Sequence, residues 1–206
     1  MNTPYATRRS HQVIAAGSDL EAELADLLAY ALAGTDVVAP YGQLVPGTIE
    51  RRETLPGYFA RLLASAREGG WLACTFEDQA GMALWARYPP CDGQGRKPAR
   101  PVAPAAPETI ARFELVRDQE RARLMGDRPH AHLHTLCPRF RIKDHPVERA
   151  LLEERLAQLD FERVAAYADP ARAEHRALLL KYEFRPLPAR EGMPLIYPMV
   201  REPHGP

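Results

Sequence analysis

Three histidines alternate along one short stretch. His130, His132 and His134 fall in the segment 130–137, and a polar loop and the helix-forming run ALLEERL at 150–156 follow it. A period of two places alternate side chains on one face of a strand, and the run after the loop suits a helix. The chain must therefore contain a strand–loop–helix unit, which predicts an α/β class with one mixed sheet.

The flanking sequence extends that pattern. HQVIA at 11–15 suits a first strand, and Ser18 to Glu21 forms a capping box ahead of Leu20, Leu24, Leu27, Leu28 and Leu32. That helix is expected to end at Gly34. A second helix is expected from Thr48 through Phe59, Leu62 and Leu63 to Gly69, with Pro56 placed to break it in two. WLACTF at 71–76 and MALWA at 82–86 flank a short polar turn, the pattern of an antiparallel hairpin. Residues 88–107 hold six prolines and no periodicity, so they read as a long loop, either a lid or an inert insertion. A charged helix is expected over 108–125 with Ile110, Phe113 and Val116 inward. After the histidine strand come a helix from Pro146 to Asp160, a strand at 163–168, and a helix capped by Asp169 with Pro170 at its first position. Strands near 184–187 and 194–201 close the domain.

Composition narrows the function classes. A length of 206 residues suits one domain spanning 1–206 with a full core. Lys plus Arg number 27, as do Asp plus Glu, so no global field favours nucleic acid or a charged membrane. Cys74, Cys91 and Cys137 have no metal or disulfide spacing. An odd cysteine count without a leader pattern predicts a reducing, cytoplasmic location. No apolar run approaches the ~20 residues that span a bilayer. Twenty prolines with abundant Ala and Arg are associated with GC-rich genomes such as those of actinomycetes.

The start of the helix after the histidine strand carries Asp144, Pro146 and Glu148. Helix N-termini attract phosphates through their N–H groups and dipole. Here Asp144 can cap the helix itself, Pro146 has no N–H, and Glu148 adds negative charge to the first turn. Against this, Arg139, Arg141 and Lys143 alternate just upstream and can bind phosphate by side chain. The other reading is a solvated basic edge.

The segment resembles motif A of the GNAT acetyltransferases, especially the small-molecule type to which puromycin N-acetyltransferase belongs. ALLEERL matches the family's helix. Counting back, Lys143 falls on the Gln/Arg position of its phosphate loop, and Asp144, Pro146 and Glu148 fall on its three small-residue positions. ERVAAYAD at 162–169, HRALLLKYEF at 175–184, PLIYPMVREP at 194–203 and GMALWARYPP at 81–90 resemble further family segments in the same order. The likeness runs from about Val13 to Pro203. It implies a GNAT fold, with a mixed central sheet of about seven strands flanked by helices, and acetyl transfer from acetyl-CoA to a small molecule. It also implies that Pro138 stands where the family uses a backbone N–H to hold the pantetheine arm. Leu179 stands where many members place a general-acid tyrosine, and Tyr182, one turn on, is the candidate substitute.

The resemblance also puts the histidine strand beside the acceptor pocket, so His130, His132 and His134 are candidate catalytic residues. A neutral imidazole takes a proton near neutral pH. Two other readings stay open. The histidines can pack under the neighbouring helix, or two of them can join Glu114 around a metal, although alternate strand residues stand ~6.6–7 Å apart. No metal is expected. Glu114, Trp85 and Tyr197 are the candidate substrate-binding residues, and Arg139, Arg141 and Lys143 are the candidate cofactor-binding ones. The departures from the family pattern lead to the expectation of a small-molecule enzyme of specialised metabolism, with a non-standard or absent acetyl-CoA site, acting on a biosynthetic intermediate. The alternatives are an N-acyltransferase that uses acyl-CoA or an acyl carrier protein on a small-molecule amine, and a non-catalytic binding protein. A homodimer fits any of these.

Overall fold

The computed structural model describes residues 11–13, 25–26, 48–68, 72–76, 81–88, 108–138, 144–190 and 196–205. The described strands are β1 (His11–Val13), β2 (Leu72–Phe76), β3 (Gly81–Tyr88), β4 (His130–Pro138), β5 (Ala165–Ala168), β6 (Arg185–Pro186) and β7 (Met199–Arg201). The helices are α1 (Thr48–Glu68), α2 (Glu108–Met125), α3 (Pro146–Glu162) and α4 (Ala173–Lys181). One mixed sheet orders the strands β1-β2-β3-β4-β5-β7-β6. The β4–β5 pair is parallel and is linked through α3, while the other described pairs are antiparallel. The expected helix over 18–34 lies outside the described residues except for Ala25 and Asp26, which are helical. The proline-rich loop, beyond Tyr88, also lies outside them.

Two features of β4 position the site. Its parallel pairing with β5 covers only His130↔Ala165 through Leu133↔Ala168, where β5 ends, and β4 runs on to Pro138; the fork is this end of the paired segment. Its pairing with β3 steps from Trp85↔Leu133 to Leu84↔Thr135, so the register skips His134 and β4 carries a bulge there. Bulges re-aim side chains and recur beside active sites.

The core under α3 explains why β4 and α3 pack. Ala131, Leu133 and Leu136 of β4 meet Leu151, Leu152, Leu156 and Leu159 of α3, with Trp85, Leu178, Leu179 and Phe184 around them. Each fully buried Leu contributes about 1.5–3 kcal/mol. α3 ends in a turn where Arg163 adopts φ 58° and the Val164 N–H donates to the Leu159 carbonyl at 2.9 Å. This is a Schellman-type stop. Gly81 is required at the opposite end. A Cβ there would stand 2.6 Å from Val147 Cγ1 and 3.0 Å from the Cys137 carbonyl oxygen, so the α3 start can lie close on β3 only over a glycine.

Three local expectations need correction. Pro56 does not break α1, which runs unbroken from Thr48 to Glu68. Burial of Leu55, Tyr58, Phe59, Leu62 and Leu63 offsets the ~3 kcal/mol that an interior proline costs. Val116 is only half-buried, and the inward face of α2 continues instead through Arg117, Glu120 and Arg121. Asp169 does not cap a helix. α4 begins at Ala173 with Arg172 as its N-cap, and the Pro170 carbonyl accepts the Tyr197 N–H at 2.9 Å. The Asp169 carboxylate is engaged elsewhere.

Candidate active site at the fork between two central strands

The three histidines share one face of β4, as their spacing predicts, and α2 covers that face. The helix supplies partners at matching intervals. Arg121 meets His130, Arg117 reaches Asp169 beside His132, and Glu114 meets His134. Steps of four and three along a helix keep to one side of it, and steps of two along a strand do the same. The two ladders therefore stay in register over three rungs.

The innermost rung is fully used. His130 Nδ1 lies 2.7 Å from the Arg128 carbonyl and must donate to it, so Nε2 carries the lone pair that accepts from Arg121 at 3.1 Å. Tyr88 stacks on the His130 ring at 4.7 Å and 7°, with the Arg121 guanidinium 3.7 Å above the Tyr88 ring. Burial pushes the His130 pKa from 6.5 down to about 4 despite the carbonyl.

The middle rung is the most buried charged group described at the site. Arg117 grips Asp169 with two hydrogen bonds of 3.0 and 2.6 Å, and it donates to the His134 carbonyl at 3.1 Å. The same carboxylate accepts from His132 Nε2 at 3.0 Å. Burial opposes the Asp169 charge, but Arg117 and His132 hold its carboxyl well below the usual carboxylate range. Burial lowers the His132 pKa to about 4, against the pull of Asp169. His132 is therefore neutral near pH 7, with its Nε2 proton fixed on Asp169 and a lone pair on Nδ1. Tyr167 lies edge-on to His132 at 5.0 Å. Its hydroxyl is buried without a hydrogen-bond partner among the described residues, and burial pushes its phenol up.

The outer rung lies past the fork. His134 Nε2 faces Glu114 Oε2 at 3.1 Å, and Nδ1 faces the Thr135 hydroxyl at 3.0 Å. Arg117 also holds Glu114 Oε1 at 3.2 Å. The Glu114 side chain is 16% exposed against 1% for Asp169, so this rung lies nearer solvent than the middle one.

The other sequence-derived candidates do not converge here. Trp85 is in the apolar cluster under α3. Tyr182 packs against the same cluster, donates to Glu153 at 2.7 Å, and has its pKa raised to about 12 by burial and then by Glu153. Leu179 is a buried core residue. Tyr197 is exposed under the Arg176 guanidinium at 4.9 Å. Arg139, Arg141 and Lys143 lie outside the described residues. Among the described residues no group of three metal-ligand side chains forms a metal site.

The α3 start departs from the expected cap. His145, not Asp144, is the N-cap, and both residues have left-handed backbone, φ 53° and 67°. Asp144 therefore turns the chain and does not bond the helix. Instead the His145 ring bonds Glu148 Oε1 at 2.8 Å, and Glu148 is buried with its Oε2 lacking a partner among the described residues. Pro146 occupies the first helical position.

No family model and no curated protein sequence matches the chain. Solved structures do. One described as histone acetyltransferase HPA2 and related acetyltransferase from Corynebacterium glutamicum aligns with a TM-score of 0.61 at 17% identity, over 96% of this chain and 98% of that one. Arylalkylamine N-acetyltransferase 2 from Aedes aegypti gives 0.58 at 9% identity, over 95% and 99%. A mosquito arylalkylamine N-acetyltransferase-like protein 5b gives 0.55 at 14% identity, over 95% and 99%. The chain has the GNAT fold. In this GNAT fold the parallel pair that forks is β4 and β5, and the helix after the fork is α3. A fold leaves chemistry to be argued from the site.

The sequence did not reveal Asp169, Arg117 and Thr135 as parts of the cluster. A signal for Arg117 and Arg121 was present: they continue the inward periodicity that Ile110 and Phe113 begin. Asp169 gave none, because Asp-Pro reads equally well as a helix start.

Proposed function

We propose that this protein is a small-molecule acyltransferase of specialised metabolism that works at the β4–β5 fork, with an acyl-donor site that departs from the usual acetyl-CoA site. The observation that carries this reading is the outer rung. An imidazole whose tautomer is fixed by a carboxylate stands at a strand bulge just past the fork, buried beside a partly exposed Glu114. Such a pair can take a proton and return it. His134 is the base, Glu114 orients it, and the Arg117–Asp169 clamp fixes both. His132 and His130 hold α2 in place.

The departure at the donor site is supported by the α3 start. Glu148 places a buried carboxylate where helix N–H groups would meet a pyrophosphate, and Pro146 removes one donor. The acyl donor is then a thioester held by its acyl and thiol ends, presented by a carrier protein or as a small thioester. The acceptor is an amine on a biosynthetic intermediate.

The test is a donor panel. The protein is incubated with simple amines and acetyl-CoA, an acylated carrier protein, or an N-acetylcysteamine thioester, and amide product is measured by mass spectrometry. Product is expected from the latter two, with weak calorimetric binding of acetyl-CoA. A low-micromolar dissociation constant for acetyl-CoA overturns the donor-site reading, and no amide from any donor overturns acyl transfer. A binding protein without chemistry is the second reading. One observation favours it: the matched rungs fix α2 on β4, which is reason enough for the histidines.

A further inference from the structure

We propose that Thr135 is a nucleophile that carries the acyl group as an ester between donor and acceptor. This rests on the reading of the fork as the acyl-transfer centre and adds a covalent intermediate to it.

The geometry is that of an activated hydroxyl. Thr135 Oγ1 stands 3.0 Å from His134 Nδ1, and Nε2 of the same ring stands 3.1 Å from Glu114 Oε2. A carboxylate only accepts, so Nε2 bears the proton and Nδ1 presents its lone pair to the Thr135 O–H. Nucleophile, base and orienting carboxylate are thus in sequence within hydrogen-bond reach, the arrangement that activates hydroxyl nucleophiles on unrelated folds. The contact is not a default of local structure. His134 and Thr135 are consecutive strand residues, whose side chains ordinarily point to opposite faces. The bulge at His134 brings the two together. The orienting carboxylate is itself fixed. Arg117 holds Glu114 at 3.2 Å, the His134 carbonyl at 3.1 Å, and Asp169 in two bonds. Thr135 also lies on the part of β4 beyond its pairing with β5, where it is mostly but not wholly buried at 7% exposure.

The chemistry balances in two steps. Thr135 Oγ1 attacks the acyl carbon of a thioester while its proton passes to His134 Nδ1. The C–S bond breaks, the thiolate leaves with that proton as a thiol, and an acyl ester remains on Thr135. The acceptor amine then attacks the ester carbon and gives a proton to His134 Nδ1. The C–O bond breaks, the Thr135 oxygen regains the proton, and the amide leaves. Glu114 stays ionised and stabilises the imidazolium in both steps. An ester intermediate lets the donor leave before the acceptor arrives, so the donor need not be gripped by its pyrophosphate.

The experiment uses the full chain and S-acetyl-N-acetylcysteamine, a thioester with no phosphate. Intact-mass spectrometry after a denaturing quench reads covalent acetylation, and peptide mapping locates it. The expected result is one acetyl group per chain on the peptide that contains Thr135. Thr135→Ser keeps the label, the near-isosteric Thr135→Val loses it, and His134→Gln slows labelling by roughly 10²-fold or more. Mapping on the unmutated protein decides the site even if a variant fails to fold. A label on another residue, or one that survives in Thr135→Val, overturns the proposal. Amide formation by Thr135→Val at the unmutated rate also overturns it and leaves acyl transfer at the fork standing. Neither label nor amide from any thioester removes both readings.

Discussion

The two faces of β4 are held by opposite kinds of interaction. Under α3 the strand presents Ala131, Leu133 and Leu136 to a row of leucines. Under α2 it presents His130, His132 and His134 to Arg121, Arg117 and Glu114, with Asp169 between. The apolar face gains stability from each buried side chain and tolerates exchange of one apolar group for another of like volume. The polar face gains little net stability, because desolvation of each charge nearly cancels its attraction. Its effect is specificity: each ring and charge is held by directed bonds to particular partners, and removing a single member weakens the bonds of its neighbours. A face built this way fixes orientation, which catalysis needs and a core does not.

The comparison breaks most sharply at Asp169. Asp169→Ala takes two short hydrogen bonds and the nearest carboxylate from the buried Arg117 and the proton acceptor from His132, so a loss of about 3–5 kcal/mol is expected from denaturant melts. Leu152→Ala on the opposite face is expected to cost about 2–5 kcal/mol. The two should separate in double mutants. Asp169→Ala with Arg117→Met should recover much of the loss, because the buried charge that lost those bonds is gone, whereas no second truncation rescues Leu152→Ala. A loss under 1 kcal/mol at Asp169, as for an exposed pair, would contradict a buried clamp.

Acid sharpens the comparison next. His130 and His132 have folded pKa values near 4 against 6.5 ordinarily. Below pH 6.5 the unfolded chain binds protons that the folded chain refuses, so stability falls as pH drops from about 6.5 to about 4 and then levels for these groups. The expected loss is on the order of 2–3 kcal/mol per histidine. Asp169, depressed in the fold, adds its own loss only at lower pH, as its carboxylate is protonated. Chemical melts at pH 7, 5.5 and 4.5 read this directly. His130→Phe with His132→Phe should flatten the window even if it lowers stability at pH 7. An unchanged slope in the double variant would place the titrating groups elsewhere.

The smallest effect is expected at the α3 start. Asp144 has φ 67° and makes no cap bond. Glycine relieves left-handed backbone but adds freedom to the unfolded chain, so Asp144→Gly should stabilise by a few tenths to about 1 kcal/mol. A destabilisation of about 1 kcal/mol would instead restore Asp144 as a capping residue. The melting temperature of the single variant distinguishes the two.

Local pattern already contained much of the fold. The antiparallel pairing of β2 with β3, the α2 span, the histidine strand and the helix after it follow from period and turn chemistry, which act between neighbours in sequence. The shared face of His130, His132 and His134 was legible for the same reason. Pro56 misled because propensity is local while its cost was offset by α1 burying five apolar side chains. Asp144 misled because the cap position moved by one residue once both Asp144 and His145 took left-handed backbone.

By itself the sequence determined the order of elements, the face on which the histidines stand and the acidic, proline-bearing start of α3. Only the tertiary structure decided what those residues do to one another. The fork after Leu133, the bulge at His134, the Asp169 clamp and the meeting of Thr135 with its neighbour all depend on which strands pair and where pairing stops. Strand pairing and burial act across distant parts of the chain. Arg117 and Asp169 lie 52 residues apart in sequence and 2.6 Å apart in space, and no periodicity within either segment encodes that meeting.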